Sequence, residues 1–193
     1  MSHKFPLSIT GEFITLRKVT VNDSAFIYEL RTSTCAQYLN QPPDYSINLQ
    51  REWIEKRTDA EINYIILRND TMSRAGMVAI LDVNHIDLVS SVGRLLLCEQ
   101  YVNSSTPYGI EALKITYGYV FNEMQFRKIS GVINSRNKKV YDLQKYLGMI
   151  DEGYFKKHTI LRGELQDMYF LSLFSEQYPA YKDKIDTILD KFR

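Results

Sequence analysis

Ser104, Ser105 and Thr106 stand immediately before Pro107-Tyr108-Gly109, at the entrance to a stretch with helical spacing. Hydroxyls and amides at a helix start can face a phosphate, because the first four helical N–H groups lack an internal acceptor and the positive end of the dipole lies there. The same residues can instead do no more than cap the helix and close a turn. The remaining reactive side chains are sparse. Two cysteines, Cys35 and Cys98, do not make a disulfide scaffold, and neither they nor three scattered histidines form a metal motif. No metal is therefore expected. Basic clusters at Arg127-Lys128, Arg136 to Lys139 and Lys156-Lys157 can attract a phosphorylated ligand or stand as solvated surface.

The elements that must position these residues are legible from periodicity. Phe13 to Val19, Ile62 to Leu67, Gly76 to Leu81, Val89 to Cys98, Lys128 to Ile133, Tyr154 to Leu161 and Met168 to Phe174 read as strands. Gly93 interrupts the fourth and marks a bulge or a close ligand approach. Asp23 or Ser24 caps a short helix that buries Phe26, Ile27 and Leu30, and a second helix covers about Leu49 to Arg57 with Trp53 and Ile54 facing the body. Between them, Asn40 to Asp44 with Pro42-Pro43 reads as a loop. Thr106 and Pro107 make an N-cap and first-turn pair for a helix reaching about Glu123 and burying Ala112, Ile115, Tyr119 and Val120. A further helix spans Asn137 to Leu147, stopped by Gly148. A last one begins at Pro179 and runs through Phe192, with Ile185, Ile188, Leu189 and Phe192 as its apolar stripe. It is expected to pack back on the domain, the alternative being a second subunit.

Length and charge narrow the classes. A chain of 193 residues, 45% hydrophobic and 24% charged, suits one domain spanning 1–193. Twenty-four basic against 23 acidic residues leave a formal charge of +1, which gives no case for nucleic acid binding. No apolar run is long enough to cross a membrane and no secretion signal opens the chain, so a cytoplasmic location is expected.

From Glu99 to Gly153 the order is strand end, hydroxyl-rich loop, helix, strand and helix. With Tyr108-Gly109-Ile110-Glu111-Ala112, Asn137, Leu147-Gly148-Met149, Glu152-Gly153, Gly163 and Asp167, this stretch resembles the GCN5-related N-acetyltransferase (GNAT) superfamily. It is most similar to the branch acting on ribosomal proteins, polyamines and nucleotide-linked amino sugars. The resemblance covers about residues 11–176 and leaves the terminal helix, at about 179–192, outside. It implies an α+β fold: a strongly twisted mixed sheet of six or seven strands flanked by helices, with an additional C-terminal helix. It also implies acetyl-CoA as donor and a small-molecule amine as acceptor, in a monomer or homodimer. The family's glycine-rich phosphate loop is replaced here by Ser104, Ser105, Thr106 and Pro107. Backbone amides of Ser105, Thr106, Tyr108 and Gly109 can still face a diphosphate.

The resemblance assigns backbone contacts with the donor's pantetheine arm to Leu97 and Cys98, and either donor contact or helix capping to Asn137. Moving an acyl group from a thioester to an amine requires removal of the amine's proton, for which Glu99, next to the donor strand, is the first candidate. His85 and His158 are alternatives, since neutral imidazole accepts a proton near physiological pH. The family's late-helix tyrosine, a general acid, aligns with Gln144, which leaves Tyr141 as a candidate beside it. Arg31 and Trp53 resemble acceptor-binding positions of the amino-sugar enzymes, Arg31 for a nucleotide phosphate and Trp53 as an apolar wall. The alternatives are a polyamine or protein N-terminus as acceptor, or a non-catalytic acyl-CoA sensor.

Overall fold

A computed structural model describes residues 5–193. The chain order is β1 (Ser8–Thr10), β2 (Ile14–Lys18), α1 (Ser24–Thr32), α2 (Ile47–Glu55), β3 (Ile62–Arg68), β4 (Arg74–Asn84), β5 (Val89–Leu97), α3 (Glu99–Val102), α4 (Tyr108–Gly118), β6 (Lys128–Asn134), α5 (Lys138–Leu147), β7 (Ile150–Leu161), β8 (Glu164–Phe174) and α6 (Tyr178–Leu189). These strands form one sheet in the order β1-β2-β3-β4-β5-β6-β8-β7. Every neighbouring pair is antiparallel except β5 and β6, which are parallel and joined by the α4 crossover. Eight strands replace the six or seven expected, because the three-residue β1 is too short to show a period.

The sheet is covered on both faces. Ile65, Leu67, Met77 and Leu96 pack against Ile27, Leu30 and Ile54 of α1 and α2. The opposite side chains, among them Ile14, Leu16, Tyr64, Ile66 and Val78, join a larger core with α4, α5 and α6. Burial of both faces explains why β3 is apolar at successive positions from Tyr64 to Leu67 instead of alternating. Gly148 ends α5 at φ 119°, the left-handed cap its position predicted. No helix among the described residues is long and apolar enough to cross a membrane.

One helix departs from its sequence reading. α4 ends at Gly118 and continues as a π turn over Tyr119–Glu123. It buries Glu111, Leu113, Thr116 and Tyr117 as well as Ala112, while Ile115 and Tyr119, expected inside, are half-buried. The terminal helix packs on the domain: Tyr181 stacks on Tyr117 with ring centroids 4.8 Å apart, and Lys114 pairs with Asp186 at 2.6 Å. Glu111, in the first turn of α4, is only 3% exposed yet accepts the amides of Glu12, Phe13 and Ile14 at 2.6, 2.8 and 2.9 Å. A charged acceptor shared by three donors at a strand start ties α4 to the far edge of the sheet.

Candidate active site

The sheet splits at its centre. β5 and β6 pair only through Val89↔Lys128, Ser90↔Ile129 and Ser91↔Ser130. Beyond that point β5 stays with β4 as far as Leu97, and β6 stays with β8 as far as Asn134. Between the diverging halves, backbone groups lack a strand neighbour, and such an edge can take an extended ligand by the hydrogen bonds a strand would use. The Cys98 amide donates to the Ala75 carbonyl at 2.8 Å, on the β4 side. Strand alternation therefore turns the Leu97 amide toward the wedge. Of the two expected backbone donors, Leu97 fits and Cys98 does not, since its carbonyl is also taken, by the Tyr101 amide at 2.8 Å. Burial pushes the Cys98 thiol pKa up.

A bulge bends β5 beside this wedge. Ala79 faces Gly93 whereas Met77 faces Leu96, so three steps along β5 answer two along β4. Arg94 occupies the extra length at φ 52°, a left-handed conformation that side-chain-bearing residues adopt at a cost. The bulge read at Gly93 thus falls one residue later, and bulges of this kind re-aim side chains next to functional clefts.

The start of α4 abuts the end of β5: a Cβ on Gly109 would lie 3.5 Å from Leu97 Cδ1. Here the expected cap is corrected. Pro107, not Thr106, is the N-cap, and no side chain caps the helix. Ser104 Oγ instead donates to the carbonyls of Thr106 and Tyr101, at 2.7 and 3.2 Å, folding the loop on itself. The Tyr108 amide is committed to the Thr106 carbonyl at 3.0 Å, so it does not join Ser105, Thr106 and Gly109 as a phosphate donor. Arg68, at the end of β3, lies over Tyr108 and Tyr101, with its guanidinium carbon 5.9 and 5.2 Å from their ring centroids. It brings positive charge to the mouth of a loop that has none of its own, although Asp70 pairs with it. Asn137 is the N-cap of α5 by position but its side chain makes no capping bond.

On the α1–α2 face a cavity of about 300 Å³ is lined by Ile27, Arg31, Asn40, Tyr45, Trp53 and Arg94, among others. Arg31 and Trp53, separated by 22 positions, meet here. Arg31 donates to the Asn40 carbonyl at 2.7 Å and lies 5.7 Å from the Tyr45 ring centroid. Burial, reinforced by the nearby Arg94 charge, pulls its pKa down, and Tyr45 partly offsets this. The Arg94 guanidinium lies 5.0 Å from the Trp53 ring centroid and bonds Glu61 at 2.8 Å and Asn63 at 3.0 Å. Arg94 and Tyr45 had no signal in the sequence: the first depends on a bulge and the second on a loop folding over α1.

The candidate proton acceptors are scattered. Glu99 opens α3 just past β5, exposed, and its carboxylate accepts the hydroxyl of Thr34 from the α1–α2 connection. His85 lies in the β4–β5 turn, edge-on to Phe126 at 5.3 Å, at the end of β5 opposite Leu97. Nine residues of strand put those ends roughly 26 Å apart. His158 is exposed on β7, stacked 5.0 Å from Phe155, and its neighbour Thr159 accepts a hydrogen bond from the Asn40 side chain at 3.0 Å. The Tyr141 ring packs tilted against Tyr169 of β8, centroids 4.2 Å apart, and its hydroxyl donates to Asp151 at 3.2 Å, so β6 stands between it and the wedge. Gln144 is buried and accepts the Tyr181 hydroxyl at 3.2 Å.

The fold is thus a mixed sheet that splits after three parallel pairs, with a helix start at the end of the inner strand. A profile of the acetyltransferase (GNAT) domain matches residues 14–150, well over half of the chain. The chain belongs to the GNAT acetyltransferase family, enzymes that transfer acyl groups. Comparison with curated proteins finds no match. Solved structures share the fold at low identity. A GCN5-related N-acetyltransferase from Brucella melitensis is 18% identical with a TM-score of 0.79, over 94% of this chain and 85% of that one. A variant of the spermidine N-acetyltransferase SpeG from Vibrio cholerae is 18% identical with a TM-score of 0.77, over 88% of this chain and 98% of that one. An acetyltransferase from T. thermophilus gives 18% and 0.81, over 96% and 98%.

Proposed function

We propose that this chain is a cytoplasmic, single-domain N-acetyltransferase that moves acetyl from acetyl-CoA directly to the primary amine of a small molecule. A nucleotide-linked amino sugar is the acceptor we favour. The observation that carries this reading is the split between β5 and β6, open beyond Ser91 and Ser130, with the α4 start at one end and the Arg31–Trp53 cavity on the α1–α2 face. Bound acetyl-CoA would supply an activated thioester acyl group. The Leu97 amide suits its pantetheine arm, and the amides of Ser105, Thr106 and Gly109 suit its diphosphate, with Asn137 at the start of α5 as a further donor contact. Glu99 is the residue we assign to take the amine proton, directly or through water. The raised Cys98 pKa argues against a thiolate carrying the acyl group, which favours direct transfer.

A screen of coenzyme A release tests this, with amino sugars, polyamines and N-terminal peptides as acceptors. Saturable release with an amino sugar is the expected result. Robust turnover of spermidine with none of the amino sugars would reverse the acceptor assignment. Donor binding without release from any amine would make the chain a sensor.

A further inference from the structure

We propose that Arg31 and Arg94 form an oxyanion-binding subsite, so that the acceptor is an amine that also carries a phosphate or carboxylate. This rests on the acetyltransferase reading above and specifies the acceptor's charge. Two observations carry it. First, among the described residues lining the cavity there are two guanidinium groups and no carboxylate. A polycation brought into that space would meet the unpaired Arg31, an Arg94 already paired with Glu61 and no carboxylate in the lining, whereas recognition of a polyamine requires acids. Second, each arginine is held there by a specific feature of the fold. Arg31 is half-buried and has no ion-pair partner among the described residues; a backbone carbonyl and the Tyr45 ring fix it instead. Arg94 is turned toward the cavity by the β5 bulge at φ 52°, and one of its nitrogens, Nη1, serves both Glu61 and Asn63. The remaining guanidinium donors are free of those two bonds. Planar guanidinium forks match phosphate and carboxylate geometry, and two of them converging on one small cavity suit an oxyanion better than an apolar group does.

The chain's one tryptophan provides the readout. Trp53 is the only tryptophan in 193 residues and lines this cavity, so its emission reports occupancy here without requiring turnover. Three probes share one amino-sugar scaffold: glucosamine is uncharged apart from its amine, muramic acid adds a carboxylate, and glucosamine 6-phosphate adds a phosphate. The expected result is saturable emission change with at least one anionic probe, about tenfold or more tighter than glucosamine, as one charge-assisted contact would give. Whichever anion is preferred identifies its source. Arg31→Gln should abolish the preference; because Arg31 neutralises no carboxylate, its loss leaves no orphan charge and the fold should survive. Arg94→Gln should weaken binding similarly, with circular dichroism checking that the loss of the Glu61 pair has not unfolded the bulge. Equal affinity for all three probes, no response to any, tighter binding of spermidine, or an unchanged preference in Arg31→Gln would each overturn the proposal. Coenzyme A release separates the two claims: anion-selective binding here with no release from any amine of the wider screen would sink the acetyltransferase reading and leave the anion subsite standing.

Discussion

Replacing Gly109 by aspartate should separate donor binding from folding. The position lies in the first turn of α4, half-buried, and its added Cβ would meet Leu97 Cδ1 at 3.5 Å and Leu95 Cδ2 at 3.9 Å, both ordinary contacts. A carboxylate there also suits the positive end of the helix dipole, which favours it by about 0.3–1 kcal/mol. Thermal stability should therefore hold or rise slightly. The donor's diphosphate would feel the opposite. At roughly 6 Å and an effective dielectric near 20, the new charge costs about 3 kcal/mol per unit of phosphate charge before screening. Salt and side-chain relaxation reduce this to about 1.4–2.8 kcal/mol, a ten- to hundredfold loss of affinity that should shrink as ionic strength rises. Calorimetric titration with acetyl-CoA at low and high salt, beside a melting curve, measures both quantities. Gly109→Ala is the steric control and should change donor affinity little. If Gly109→Asp binds the donor as the parent does at low salt, the diphosphate does not sit at the α4 start and the wedge loses its assigned ligand.

Glu99→Gln should lower turnover by about 10²–10⁴-fold if this carboxylate takes the amine proton, with donor affinity nearly unchanged; equal turnover would hand the step to water or to His158. Asp23 is fully buried, bonded to Arg17 at 2.8 and 3.1 Å and to the Thr20 amide at 2.9 Å. Burial pushes its pKa up, but the bonds from Arg17 and Thr20 outweigh that and hold it below the ordinary 3.8. Its contribution is thus complete above pH 3.8 and fades as pH falls through the lower native value. Asp23→Asn should cost about 3 kcal/mol in urea unfolding at neutral pH, since Arg17 keeps some solvent, and should flatten the stability curve in that acid window; an unchanged acid limb would refute the assignment. Glu111→Ala strips the acceptor from three strand amides and should destabilise by about 3 kcal/mol or more, visible as fast hydrogen exchange at residues 12–14.

The resemblance of residues 99–153 to the GNAT core was legible because each element there has a local signature: the polar entry to α4, the β-branched Ile129, Val132 and Ile133 of β6, and glycine at the end of α5. The wedge itself was not legible. Sequence marks β5 and β6 as strands, but their parting after three pairs depends on what each does with its other neighbour. Loop detail also escaped, since the serine that reads as a helix cap can spend its hydroxyl on a nearby carbonyl, as Ser104 does. Arg31 and Trp53 stand out in the sequence by likeness alone, and their meeting in one cavity required α1 and α2 to pack side by side over β4 and β5.

The sequence by itself determined the kind of protein and most of its elements, because hydrophobic period, turn residues and helix stops act over a few positions. Tertiary structure decided the charge of the cavity on the α1–α2 face. Arg94 faces it only because an extra residue in β5 rotates the backbone, and Glu111 serves a strand almost a hundred residues earlier only because the sheet brings them together. Both depend on pairings between distant segments, which no local pattern encodes.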